Sequence, residues 1–162
     1  MNLRIYINIV ITSALGFGAF GIFGCQRQDS GRTNKTPVIA LVMKTLNHPY
    51  FLDMRRGASE AAQNHNIQLV VQAAEREIDA EKQMQIIENL IQRRVSVLCI
   101  SPSGSKEIVP VIIKANRARI PVLIVDTRVD AAVLQEASGY IEGFVGADNF
   151  KGGKLAGKYL AD

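Results

Sequence analysis

The 162-residue chain contains 48% hydrophobic and 21% charged residues, which are ordinary values for a globular protein. Its formal net charge of +4 is spread along the sequence rather than gathered into a basic stripe, so we expect no nucleic-acid partner. The chain has only two histidines and two cysteines, without the clustered spacing of zinc ligands, so no metal site is expected.

The N-terminal segment is predicted to be a targeting signal rather than a nucleotide site. The stretch GFGAFGIFGC contains a formal G-x-G-x-x-G match at Gly16, Gly18 and Gly21. That fingerprint binds a dinucleotide only where it follows a strand and opens a helix, whereas here the polar stretch QRQDSGRTNKTP follows it. An early arginine and a long apolar run fit a secretory signal instead. We therefore predict a lipoprotein signal peptide over residues 1–24 and no cofactor.

The tetrapeptide IFGC, which ends at Cys25, resembles the bacterial lipobox, in which a small residue precedes a lipidated cysteine. Phe23 departs from the small residue that is usual in its position. Acyl chains on Cys25 would hold a domain on a membrane surface, and the polar residues 25–36 are then a flexible tether. A plain signal peptide and an uncleaved membrane anchor remain alternatives.

Beyond the tether, short apolar runs alternate with amphipathic segments. In chain order, the pattern predicts a strand over 37–44, a helix over 49–66, a strand over 67–74, a helix over 79–94, a strand over 95–101, a helix over 105–119, a strand over 120–126, a long excursion over 127–143, a strand over 144–147 and a helix over 148–162. We expect Pro110 to kink the third helix. The alternation predicts an α/β fold, an open parallel sheet with helices on both faces. An α+β domain with antiparallel strands is the alternative.

Polar residues follow the predicted strands, at the edge where open parallel sheets bind ligands. The candidates are Lys44 and Asn47 after the first strand, Ser101 after the third, Asp126 after the fourth and Asp148 after the fifth, with His48, Tyr50 and Phe51 where the first helix begins. No nucleophile is paired with a base in this set, so we expect a binding site rather than an enzyme. Charge-assisted hydrogen bonds beside aromatic rings suit a neutral, polyhydroxylated ligand.

Several of these residues have a purely structural alternative. Asp126 could cap a turn, and Asp148 could be only the N-cap of the last helix. Tyr50 and Phe51 could both be core residues, but neighbours on a helix rarely face the same way, so at least one is expected to point outward. His48, beside a proline, fits a turn better than catalysis. The second cysteine, Cys99, lies in an apolar strand and is expected to pack in the core.

The segments IALVMKTLNHPYFLDMRRGASEAA, VSVLCISPSGS, IPVLIVDTRVD and FVGADNFKGGKLAG resemble the periplasmic sugar-binding family that includes ribose- and allose-binding proteins. The resemblance runs from about residue 36 to residue 162. It implies one lobe of the two-lobed periplasmic binding protein-like I fold. It also implies a non-enzymatic receptor that binds a monosaccharide in the periplasm or cell envelope and delivers it to the permease of an ABC transporter.

Within that resemblance, Tyr50 and Phe51 match an aromatic pair that stacks on the sugar ring, and Asp126 matches an aspartate that takes ring hydroxyls. Asn47 fits a polar position of the family, and His48 departs from the residue usual there. Lys44 matches the allose-binding branch and favours a hexose-like ligand.

Two further departures weaken the case for ribose itself. Ser101 replaces a frequent asparagine, and Thr127 replaces the arginine typical of ribose binders.

Family members are about twice as long as this chain, so the resemblance implies that residues 37–162 are an N-terminal lobe with half a cleft. An alternative function is a sugar-sensing receptor that feeds chemotaxis or two-component signalling. A repressor effector domain would need an N-terminal DNA-binding unit where a leader is predicted in this chain. A nucleotide enzyme would need a fingerprint after the first strand, where KTLNHPYF has none.

Overall fold

A computed structural model describes residues 36–161 of the chain. The predicted signal peptide, Cys25 and nearly all of the predicted tether lie outside the described residues. The elements in chain order are β1 (Val38–Met43), α1 (Pro49–Asn64), β2 (Gln68–Ala73), α2 (Ala80–Gln92), β3 (Val97–Ile100), α3 (Val109–Arg117), β4 (Val122–Val125), α4 (Ala131–Glu136), β5 (Gly143–Val145) and α5 (Asn149–Ala161).

The five strands form one parallel sheet in the order β2-β1-β3-β4-β5, which confirms the predicted fold class. The chain runs outward from β1 to β2 on one side and from β3 to β5 on the other. The order therefore reverses between β1 and β3, and such a switch point opens a crevice beyond the carboxyl ends of the strands. The loops that follow β1 and β3 flank this crevice.

Helices cover the sheet on both faces because the strands are apolar on both. Alternate residues such as Val42, Leu98 and Ile124 are fully buried under α2 and α3, with Ile87 and Ile112 among the helical residues that cover them. The intervening strand residues point to the other face of the sheet. There Leu41 and Met43 form a second cluster with Phe51 of α1, and Cys99 packs against it. Cys99 is half-buried, and burial raises the pKa of its thiol.

The structure corrects two predictions about the chain after β3. Helix α3 begins at Val109, so Pro110 lies in its first turn, where a proline breaks no intrahelical hydrogen bond and introduces no kink. The excursion over 127–143 contains the short helix α4, which the sequence analysis did not predict. Asp130 caps α4 by accepting a hydrogen bond from the backbone N–H of Val133 at 3.1 Å.

Helix α5 differs from the other helices in that none of its residues is buried. Its large apolar side chains are exposed: Phe150, Leu155, Tyr159 and Leu160 keep between 61% and 84% of their accessible surface. Among the described residues no helix combines the length and the hydropathy needed to cross a membrane.

Candidate functional site

Asp126 is the centre of a polar cluster at the carboxyl edge of the sheet. It follows β4 in a left-handed conformation with φ 66, and its backbone N–H donates to the carbonyl of Val145 at 2.8 Å. Aspartate is among the few residues that tolerate this conformation. The turn points its carboxylate across the edge toward β3 and β1, so the position of Asp126 is fixed by backbone geometry as well as by its side-chain partners.

Four side chains surround that carboxylate. The Tyr50 hydroxyl donates to Oδ1 at 3.0 Å, and the Thr127 hydroxyl donates to Oδ2 at 3.2 Å. The Ser101 hydroxyl also donates to Oδ2, at 3.5 Å. Lys44 Nζ lies 3.5 Å from Oδ2 and donates to Thr127 Oγ1 at 2.7 Å. The cluster therefore joins the loops after β1, β3 and β4, as expected from their shared edge.

The ion pair between Lys44 and Asp126 is partly open to solvent, with 18% and 25% of the two side chains exposed. This intermediate burial leaves oxygen lone pairs and ammonium protons accessible to a ligand.

The electrostatic environment also acts on Tyr50. Desolvation, and then the hydrogen bond and charge of Asp126, raise the pKa of its phenol, which therefore stays protonated as a donor near neutral pH.

The two adjacent aromatic residues face opposite ways. Tyr50 is 47% exposed, whereas Phe51 is 3% exposed and packs in the cluster under α1. Phe51 is therefore packed in the core, and the expectation that at least one of the two residues points outward is met by Tyr50; stacking of Phe51 on a ligand stays a prediction. Its ring lies edge-on to that of Tyr50, with centroids 5.2 Å apart, and so supports the exposed ring from beneath.

His48 is the N-cap of α1, and its Nδ1 accepts a hydrogen bond from the backbone N–H of Tyr50 at 3.1 Å. This bond requires Nδ1 to be unprotonated. Pro49 follows at the first helical position, where its fixed backbone angle favours the helix. The predicted turn role of His48 is thus the one that the structure describes, and its contact with a ligand stays a prediction.

Asn47 is exposed, and its Nδ2 donates to the carbonyl of Glu75 at 3.1 Å. The buried hydroxyl of Thr45 donates to the same carbonyl at 3.1 Å and accepts from the backbone N–H of Asn47. These bonds tie the loop after β1 to the loop after β2. They leave the amide oxygen of Asn47 without a described partner among residues 36–161, at the same edge as Asp126.

Ser101 lies at the edge but is completely buried. Its hydroxyl donates to Asp126 Oδ2, and its direct contact with a ligand stays a prediction. In this geometry Ser101 helps to orient the carboxylate that a ligand would meet.

Gln83 is a positioning residue that the sequence analysis missed. It projects from α2 with no exposed surface, and its Nε2 donates to the carbonyls of Met43 at 3.3 Å and Ser101 at 2.9 Å. Its Oε1 accepts from the backbone N–H of Ser103 at 2.9 Å. One side chain thus links the ends of β1 and β3 at the switch point. The available signal was its spacing from Ile87 and Leu90, which places a polar residue on the apolar stripe of α2.

Asp148 lies at the carboxyl edge of the sheet, between β5 and α5. It lines a cleft of about 700 Å³ together with Asp126, Arg128 and Phe144. Its carboxylate accepts from the backbone N–H of Lys151 at 2.9 Å, so it caps α5. The Arg128 guanidinium lies 3.8 Å above the ring of Phe144. Asp148 is therefore engaged as an N-cap, the structural alternative considered for it, while it remains exposed in the same cleft as Asp126.

This arrangement defines a class of protein: an α/β lobe whose switch-point edge presents charged hydrogen-bonding groups beside an exposed aromatic ring. Residues 39–162 match the periplasmic binding protein domain family, and the chain belongs to that family.

Two solved or curated relatives resemble it closely. The D-ribose/D-allose-binding protein of Pseudomonas aeruginosa is 42% identical over 131 residues, which are 80% of this chain and 41% of that protein. An ABC transporter periplasmic solute binding protein from Actinobacillus succinogenes, solved with bound D-allose, superposes with a TM-score of 0.74 at 41% identity. That match covers 78% of this chain and 44% of the other.

The ribose import binding protein of Bacillus subtilis is 32% identical over 124 residues, 76% of this chain and 38% of that protein. The chain thus spans about two fifths of the length of these curated relatives.

Proposed function

We propose that this chain is a sugar-binding lobe of an ABC importer receptor, held at the cell envelope by a lipid on Cys25. It binds a monosaccharide and passes it to a membrane permease, without catalysing a reaction on it. The observation that carries the proposal is the open edge on which Asp126 joins Lys44 and Tyr50. One relative is named for D-ribose and D-allose, and another was solved with bound D-allose. Both support a monosaccharide as the ligand.

The chemistry of the edge fits a sugar. A carboxylate accepts hydrogen bonds from hydroxyl groups, an ammonium group donates to them, and each such charged bond contributes roughly 1.5–3 kcal/mol. The exposed ring of Tyr50 offers a flat apolar surface to the C–H face of a pyranose. Lys44 adds a donor to this set, and its resemblance to the lysine of the allose-binding branch favours a hexose-like ligand such as allose over ribose.

The described edge contacts a ligand from one side only. We therefore expect the full chain to bind D-allose weakly, with a Kd of about 1 mM or more, since a few bonds must offset the cost of association. Nuclear magnetic resonance titration in lipid nanodiscs would follow the amides of Lys44, Tyr50 and Asp126. D-ribose serves as the competing sugar, and cyclohexanol serves as a ring with a single hydroxyl group.

Two outcomes would count against parts of this proposal. Micromolar or tighter binding of D-allose would show that a single lobe suffices, against the half-cleft expectation. If no sugar shifts these three amides, or if cyclohexanol shifts them equally, the assignment of a sugar site at this edge fails. The intact mass of the membrane-extracted protein tests the anchor separately, because lipidation at Cys25 removes the first 24 residues and adds the acyl chains.

A further inference from the structure

Arg128 is a charged residue of the carboxyl edge that the sugar site described so far does not use. It lines the cleft of about 700 Å³ that also contains Asp126 and Asp148, and its side chain is exposed. Its guanidinium carbon lies 3.8 Å from the centroid of the Phe144 ring. A guanidinium stacked on a ring keeps its N–H donors in its own plane. Arg128 therefore presents hydrogen-bond donors along the cleft.

The ring beneath Arg128 is held in place by the core and by a glycine. Phe144 belongs to β5 and packs against the larger hydrophobic cluster of the domain. A Cβ atom at Gly146 would lie only 2.8 Å from Cε1 of Phe144, so any larger residue there would displace the ring. Gly146 thus allows the ring to occupy the position in which it supports the guanidinium.

The backbone on either side of Arg128 is anchored as well. Before it, the hydroxyl of Thr127 accepts a hydrogen bond from Lys44 at 2.7 Å. After it, Val129 packs against the larger hydrophobic cluster, and Asp130 caps α4. Because both the loop and the ring are fixed, little conformational entropy remains for Arg128 to lose when a ligand binds.

Neither carboxylate of the cleft neutralises Arg128. Within the described part of the chain, Arg128 belongs to no ion pair, and the side-chain hydrogen bonds at this edge do not involve it. Asp126 is instead paired with Lys44 at 3.5 Å, and Asp148 accepts from the backbone N–H of Lys151. An aromatic ring rather than an acid holds this cation, so its donors are available to a ligand.

The two sugars suggested by the relatives differ in one group. D-ribose and D-allose, as pyranoses, have the same hydroxyl configuration at C2, C3 and C4, and only the hexose carries a hydroxymethyl group on C5. Asp126 and Lys44 can therefore meet the shared hydroxyls of either sugar. Strong discrimination requires a polar group that bonds the C6 hydroxyl, because that group is left without a partner when the hydroxyl is missing.

We propose that Arg128 is a specificity-determining residue that donates to the C6 hydroxyl of a hexose and so favours D-allose over D-ribose. This proposal rests on the sugar site of the proposed function. Phe144 lies on β5, which pairs directly with β4 and is about 4.8 Å from it. One hexose can therefore place ring hydroxyls on Asp126, at the end of β4, and its hydroxymethyl group beside the guanidinium.

The test compares three sugars on the full chain in lipid nanodiscs: D-allose, 6-deoxy-D-allose and D-ribose. Shifts of the Lys44, Tyr50 and Asp126 amides give a Kd for each sugar, and the side-chain Nε–H resonance of Arg128 gives a local readout. D-allose should bind about tenfold more tightly than the other two, since a hydrogen bond to a charged group contributes at least about that factor. It alone should shift the Arg128 resonance.

Arg128→Gln should weaken D-allose binding about tenfold, to the level of the two sugars that lack the C6 hydroxyl, and should leave those two within about twofold. Their retained binding shows that the variant is folded. The matched control Arg117→Gln removes the same charge from the last turn of α3 and should preserve the preference. Phe144→Leu keeps Arg128 but removes its platform, so it should reduce the preference severalfold.

An equal loss of affinity for all three sugars in Arg128→Gln overturns the proposal, because Arg128 then acts without the C6 hydroxyl. Unchanged D-allose binding in that variant overturns it too, as does the same loss of preference in Arg117→Gln. If the unsubstituted chain binds the three sugars alike, the sugar site stands and only the role of Arg128 fails. If no sugar shifts the three amides, the sugar site and the role of Arg128 fail together.

Discussion

Replacing Gln83 with leucine is expected to lower the free energy of unfolding by about 3 kcal/mol, although leucine has a similar volume and is apolar. The variant loses three hydrogen bonds, to the carbonyls of Met43 and Ser101 and from the N–H of Ser103. Because Gln83 is fully buried, water cannot replace these bonds without opening the domain. For a domain of this size the thermal midpoint should fall by about 10 °C.

Circular dichroism melting of the full chain measures this loss, with Gln85→Leu as the control. Gln85 belongs to the same helix and is exposed, so its replacement changes the same chemistry without a buried partner. Hydrogen exchange at the Ser103 amide gives a second, local measurement, since that N–H loses its acceptor. Equal melting temperatures for the two leucine variants would show that Gln83 does not hold the ends of β1 and β3 together.

Much of the fold could be predicted from the sequence because its signals are local. Apolar runs of strand length alternate with amphipathic stretches, and this alternation favours a parallel sheet over the antiparallel alternative. The short helix α4 escaped prediction because six residues carry too little periodicity, although Asp130 before an apolar stretch was an N-cap signal. The start of α3 was placed too early because Pro110 was interpreted as an interior residue that kinks the helix rather than as a first-turn residue.

The candidate site was predictable in outline for a topological reason. Parallel strands bring their carboxyl ends to one edge, so Lys44, Ser101 and Asp126 had to lie near each other once the sheet was assigned. Their depth could not be predicted, because burial depends on how neighbouring loops pack. The burial of Ser101 and of Phe51 was therefore not predicted. The apolar stripe of α1 already favoured Phe51 as the inward-facing member of its pair.

The two edges of the sheet carry different arrangements of charge. The carboxyl edge combines opposite charges that satisfy one another through Asp126 and Lys44, which suits a neutral ligand. The amino edge gathers like charges around Arg94 and Arg119. A parallel sheet makes this separation possible because every strand begins at one edge and ends at the other.

Asp126→Asn is expected to weaken sugar binding by about 10- to 100-fold, because neutral hydrogen bonds are about half as strong as charge-assisted ones. The change should alter stability by less than about 1 kcal/mol. Asparagine tolerates the left-handed backbone at position 126, and Lys44 keeps both its bond to Thr127 and some exposure to solvent. In the titration with D-allose, the chemical shifts of the Lys44 and Tyr50 amides should no longer change at sugar concentrations that half-saturate the unsubstituted chain.

A readout independent of any sugar follows from the same contact. Because the hydrogen bond and charge of Asp126 help to raise the pKa of Tyr50, the Asp126→Asn variant should bring that pKa down toward its ordinary value, though not fully, since desolvation is the larger cause. The Tyr50 ring carbon resonance reports this titration, and Asp53→Asn on the exposed face of α1 is the matched control. If the Tyr50 pKa falls while sugar affinity is unchanged, Asp126 orients the tyrosine but does not bind the ligand. If neither changes, the cluster described at this edge does not form in solution.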